Sequence, residues 1–248
     1  MINWADLEAF MAARDPKYRE EVRGVPDGDI AACEEGCAVI LPQIYVGFLG
    51  VMGADCGALR PFGPTQDCGF HGLVEDLPAR YYPGDRYFKV SREGDMSRIT
   101  RLDTFLDLDR SDGADAPLVQ FEDGGEFAPE AVTEFRFTLG EQLARNFFRA
   151  FELNRRPHRK VVRGGSQPAA QGERDLHAAV EVLGRSEFEP VLPLLPRVAC
   201  LGHRGASALV ELHALSGAVS VHLGAEDMRA LGVVVEQILA AFPDAVSA

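Results

Sequence analysis

The sequence predicts an α+β fold: a mixed, largely antiparallel, curved sheet with helices to one side, followed by a small helix–hairpin–helix unit. Three observations carry this expectation. Apolar residues recur at helical spacing over the first fifty positions, three strand-like runs follow between 86 and 122, and a helix–hairpin–helix pattern returns after a polar, Gly/Pro-rich break. A chain of 248 residues suffices for one large domain or two small ones. With 46% hydrophobic and 8% aromatic residues, it has the means to build a core.

Asn3 caps a first helix in which Trp4, Leu7, Phe10 and Met11 fall at helical spacing, and Asp15-Pro16 restarts a short second helix with Tyr18 and Val22. A third helix runs from about Asp29 to Ala38, with Ile30, Cys33 and Cys37 on one stripe. Leu41-Pro42 opens a fourth, buried through Tyr45, Phe48, Leu49 and Met52. Gly53 to Gly84 holds ten Gly or Pro residues and reads as loop. Strand-like runs follow at Arg86–Ser91, Ile99–Leu108 and Pro117–Glu122. Thr138-Leu139-Gly140-Glu141 matches a capping box and starts a helix with Leu143, Phe147, Ala150 and Phe151 on one face.

Residues 155–172 are polar and basic and read as a linker between a 1–154 domain and a 173–248 domain. In the latter, helix 173–183 precedes a hairpin turning at Ser216-Gly217, which pairs Leu212 with Val221 and Val210 with Leu223. That register puts Glu211, His213, Ser220 and His222 on a solvated face, while helix 226–242 covers the apolar one.

Charge narrows the function classes. Asp and Glu number 38 against 25 Lys and Arg, a formal net charge of -13. Residues 1–154 carry 28 acidic and 15 basic side chains, whereas residues 155–248 carry 10 of each. Such a balance disfavours nucleic-acid binding, which draws its affinity from neutralising phosphates, and favours a basic protein partner. Apolar runs such as Ala38–Leu41 are too short for a bilayer, so no membrane partner is expected. The start has neither a basic nor an apolar leader region, and the expected location is the cytoplasm. Five cysteines, an odd number, argue against a disulfide framework there.

Searches for chemistry give little. Dinucleotide, P-loop, zinc-protease and nucleophile-elbow motifs are absent from the sequence. Cys33, Cys37, Cys56, Cys68 and His71 supply soft ligands at poor zinc spacing, and two of them fall on an apolar helical stripe. Asp107-x-Asp109-x2-Asp112 fails the calcium-loop pattern, with Asp112 where Gly is needed and Leu118 where Glu is needed. The expectation is therefore no cofactor, no metal and no enzyme.

One segment is distinctive. Ile30, Glu34, Leu41, Pro42, Tyr45, Phe48 and Leu49, followed by Gly53, resemble the opening motif of the SMI1/KNR4 (SUKH) family over residues about 25–153. Physically, Leu41-Pro42 separates two helices at a sharp angle. Glu34, two helical turns earlier, is placed to accept from backbone N–H groups near the next helix start. The turn here is Gly53-Ala54-Asp55, where the family has Asn-Gly-Gly. The resemblance implies a bacterial immunity protein that binds a cognate toxin, often a nuclease, without a shared active site. On that reading the partner-binding surface is the acidic set Asp103, Asp107, Asp109, Asp112, Asp115, Glu122 and Asp123. The alternative is a regulatory or scaffold module that forms a homodimer through its C-terminal domain. A third reading is an enzyme built on the Cys56–His71 loop.

Overall fold

The computed structural model describes residues 2–75, 82–95, 97, 102–122, 127–165, 168–213 and 216–247. The fold is α+β, with two antiparallel sheets, and the chain divides into two compact units. One comprises Asn3–Glu8 and Asp15–Leu143; the other comprises Met1–Ile2, Ala9–Arg14 and Ala144–Ala248.

The acidic unit begins with α1 (Trp4–Arg14), which the other unit shares. The Asn3 side chain accepts from Asp6 N–H at 2.9 Å and Asp6 answers the Asn3 N–H at 3.2 Å, so two orphan donors are satisfied at the start of the helix. The Asp15-Pro16 restart yields a single 3₁₀ turn, Tyr18–Glu20, instead of a second helix. Helix α2 (Asp27–Cys37) ends at Ala38, whose left-handed φ of 53° reverses the chain. Helix α3 (Gln43–Met52) follows Leu41-Pro42, with Tyr45, Phe48, Leu49 and Met52 all fully buried.

The region read as a loop holds two short elements, β1 (Gln66–Asp67) and α4 (Phe70–Glu75). Then come β2 (Tyr87–Glu93), β3 (Leu102–Asp107), β4 (Pro117–Glu122) and β5 (Thr133–Thr138), the last unassigned from sequence. The five strands form a meander in chain order, with Phe105 opposite Val119 and Phe88 opposite Leu106. One face packs on α3 through Tyr45 and Phe88. The other carries an aromatic cluster of Tyr82, Tyr87, Phe105 and Phe121, joined by Phe127 and Val132. Helix α5 (Leu139–Phe151) opens with the expected box: Glu141 N–H donates to Thr138 Oγ1 at 3.3 Å, and Thr138 N–H donates to Glu141 at 3.1 Å.

The second unit holds more structure than a hairpin and two helices. The residues 155–172 expected as a linker contain strand β6 (His158–Arg163), in which Val162 is buried in a sheet even though Arg159, Lys160 and Arg163 are basic and exposed. After α6 (Ala169–Arg185) come β7 (Glu189–Pro190), β8 (Val198–His203), β9 (Ala206–Leu212), β10 (Val219–Ala225), α7 (Met228–Ala241) and β11 (Val246–Ser247). The sheet order is β11-β6-β10-β9-β8-β7. The β9–β10 hairpin forms, but two residues away from the expected register: Leu212 pairs with Val219 and Val210 with Val221. The shift is even, so each side chain keeps its face. Val162, Val210, Leu212, Val221 and Leu223 pack against Leu176, Ala179 and Leu183 of α6 and Leu231 and Ile238 of α7.

Candidate functional sites

The α2–α3 junction is built as its residue spacing predicts. The Glu34 carboxylate accepts from Leu41 N–H at 2.8 Å, while Val39 N–H returns to the Glu34 carbonyl at 3.1 Å. Ile30, Leu41, Tyr45, Phe48 and Leu49 are buried, and Pro42 with its φ of -58° leads directly into α3. Between these anchors Ile40 stands 85% exposed. The loop before β4 lies against the start of α3: Gln43 N–H donates to the Gly113 carbonyl at 3.0 Å and Ile44 N–H to the Ala114 carbonyl at 3.1 Å. Asp112 therefore sits at the same edge as the Ile40 knob.

The acidic set expected as one partner surface separates into two groups. Asp103, Asp107 and Asp115 are buried. Asp103 pairs with the buried Lys89 ammonium at 3.0 Å and accepts from Glu93 N–H at 2.9 Å. Asp107 takes a forked pair of hydrogen bonds from Arg86, each 3.1 Å. Asp115 accepts from Ala116 N–H at 2.8 Å and from Gly140 N–H at 3.1 Å, holding the first turn of α5. Burial pushes its carboxyl up, against the hydrogen bonds that favour the charged form. These three hold the sheet and the α5 start, so they leave the proposed contact surface. Asp109, Asp112 and Glu122 are exposed, and Asp123 lies outside the described residues. Asp112 accepts from the Ala114 and Asp115 N–H groups at 2.9 and 2.8 Å, and these bonds hold its carboxyl below the ordinary range.

The cysteines are free thiols, and Cys33 is buried on α2 as its apolar stripe implied. Burial, ahead of the neighbouring Cys37, pushes its thiol up to about 12. Among the described residues no three His, Cys, Asp or Glu side chains converge as a metal site. Cys56 and Cys68, in contrast, meet with their Sγ atoms 2.7 Å apart at the wall of a cleft of about 290 Å³.

In the second unit, the face read as solvated carries a buried ion cluster that sequence reasoning missed. Glu211 is 5% exposed and accepts from Arg149 at 2.7 Å and from Arg145, and its Oε1 lies 2.7 Å from His222 Nε2. Burial alone would raise its carboxyl, but the His222 hydrogen bond and the two guanidiniums overcome this and hold it at about 2. Burial pulls Arg149 down against the attraction of Glu211. The available signal was Arg145 and Arg149 spaced four apart on one face of α5. A second carboxylate, Glu152, accepts from Arg14 at 2.7 Å, Arg156 at 3.1 Å and Ser207 at 3.0 Å. His213, read as sharing the solvated face with His222, lies past the end of β9 and is exposed, and Leu209 stands opposite His222.

No family model matches the chain, and no curated protein matches it. The SMI1/KNR4 resemblance thus rests on the motif alone. Among solved structures, the NMR structure of PA4090 from Pseudomonas aeruginosa aligns at 15% identity over 36% of this chain and 94% of its own, with a TM-score of 0.25. A likeness at that level carries no argument about fold or function. Among the described residues, no helix is long and apolar enough to cross a membrane.

Proposed function

We propose that this chain is a non-catalytic binding protein that covers the basic surface of a protein toxin, the immunity role implied by its resemblance to the SMI1/KNR4 family. The observation that carries the reading is the exposed Ile40 at the edge that also bears Asp112, in a region whose side chains supply the whole net charge of -13. An exposed apolar residue at an edge that bears a carboxylate suits a partner that presents an apolar pocket among lysines and arginines, as a phosphate-binding nuclease does. The carboxylates draw the partner in at long range, and the isoleucine then excludes water at the centre of contact.

The test uses the full chain immobilised beside its Ile40→Asp and Asp109→Lys/Asp112→Lys variants, with lysate from the source cell at low and high salt. The expected result is a basic nuclease retained by the parent chain, inhibited at a one-to-one ratio, and lost with Ile40→Asp. The charge reversals should slow association at least tenfold at low salt and flatten its salt dependence. Retention that is indifferent to these substitutions, a captured protein whose activity the chain leaves untouched, or no capture at all would each overturn the proposal.

A further inference from the structure

Cys56 and Cys68 stand apart from everything the binding role uses. Cys56 follows the end of α3, and Cys68 directly follows β1, the edge strand of the five-stranded sheet. Both thiols are buried, at 7% and 6% exposure, yet both line the cleft with Arg60, Thr65, Gln66 and Asp67. A sulfur separation of 2.7 Å is about 0.7 Å longer than a disulfide bond and well inside ordinary non-bonded contact. The backbone is held on both sides of the pair. Asp55 N–H donates to the Arg23 carbonyl at 3.0 Å, Phe70 N–H to the Gly53 carbonyl at 2.8 Å, and Gly69 N–H to Asp67 at 3.1 Å. Nearby, the Tyr45 hydroxyl is buried without a hydrogen-bond partner among the described residues, and burial, then Cys68, Cys33 and Cys56, push its pKa well up.

We propose that Cys56 and Cys68 are a dithiol that closes to an intramolecular disulfide by exchange with a low-molecular-weight disulfide admitted through the cleft. One protein thiol gives up its proton, and its sulfur attacks the reagent. The reagent's S–S bond breaks, and one of its thiolates leaves with the electron pair and takes up a proton. The second protein sulfur, also deprotonated, then attacks the first. This forms the Cys56–Cys68 bond and releases the other half of the reagent as thiol. Two protein thiols are oxidised by two electrons in all, and one small disulfide is reduced to two thiols.

The closed ring ties β1 to the end of α3 and encloses the Gly57–Asp67 segment, which includes Gly57 at a φ of 56° and Gly63 at 140°. The hydrogen bond to Cys68, burial and the charge of Cys68 all push the Cys56 thiol up, so formation is slow and the product resists reduction. Pairing these two leaves Cys33, Cys37 and Cys200 as thiols.

The full chain, fully reduced and then incubated with glutathione disulfide, tests this by intact mass, alkylation and peptide mapping. The expected product has lost two hydrogen atoms, contains one crosslinked peptide joining Cys56 to Cys68, and melts about 5 °C higher than the reduced chain. Triple replacement of Cys33, Cys37 and Cys200 by Ser should preserve the crosslink, and Cys68→Ser should abolish it. The mapping of the parent chain decides the matter even if a variant fails to fold. Two thiols that stay alkylatable, a glutathione adduct that persists on either cysteine, or a crosslink involving another cysteine would overturn the proposal.

Discussion

Glu34 shows how one side chain sets the angle between two helices. Its carboxylate occupies the Leu41 N–H, a donor that sits beside a buried side chain at the entry to α3. Glu34→Ala should cost about 1–2 kcal/mol in urea unfolding, the penalty of leaving such a donor unsatisfied, with little change in the slope of the transition. Glu211 makes a larger claim. Its native carboxyl, held at about 2, lies below its unfolded value, so the stabilisation is present above the unfolded value and is lost as pH falls. The expected outcome is a loss of stability between about pH 5 and about pH 2, read by circular dichroism, and much reduced in Glu211→Gln. Glu211→Ala, which removes the buried carboxylate that Arg145 and Arg149 share, should destabilise the chain by about 3–5 kcal/mol at neutral pH. Glu34 was legible in the sequence because its partner lies seven residues away. Glu211 was not, because Arg145 lies 66 residues from it and Arg149 lies 62. Asp103, Asp107 and Asp115 misled for the same reason: their partners Lys89, Arg86 and Gly140 come from other elements.

Among the elements, what could be read locally matched apart from the Asp15-Pro16 restart, and what depended on neighbours did not. The Asn3 and Thr138 caps and the Leu41-Pro42 break lie within a few residues of their partners, and all three formed. Strand β6 was hidden because only Val162 of its six residues is buried, which erases the alternation that marks a strand. The hairpin kept its faces but not its register, since period-two patterning fixes the side of a sheet and leaves an even slip open. Helix packing offers a test at this scale. A Cβ added at Gly47 of α3 would fall on the indole of Trp4 in α1, so this glycine lets the two helices approach. Gly47→Ala should destabilise by about 1–3 kcal/mol in urea unfolding despite the better helix propensity of alanine. A stabilised variant would show that the indole turns aside freely.

For the whole molecule, the division of the chain differs from the division of its composition. Charge changes near residue 154, but Ala144–Phe151 of α5 already belongs to the compact unit that contains β8, β9 and β10. There Phe10 stacks on Phe148 with ring centroids 5.9 Å apart, and Arg145 and Arg149 reach Glu211. A fragment ending at residue 154 keeps those arginines and discards their carboxylate. It should melt well below the full chain, or aggregate, in a thermal scan, and binding studies therefore call for the complete chain. The Ile40 loop bears on how such binding would proceed. Its flanks are fixed before any partner arrives, by the left-handed Ala38 on one side and by the Leu41 N–H bond to Glu34 on the other. Little backbone freedom remains for a complex to remove, so the entropic cost of ordering the loop has already been met during folding.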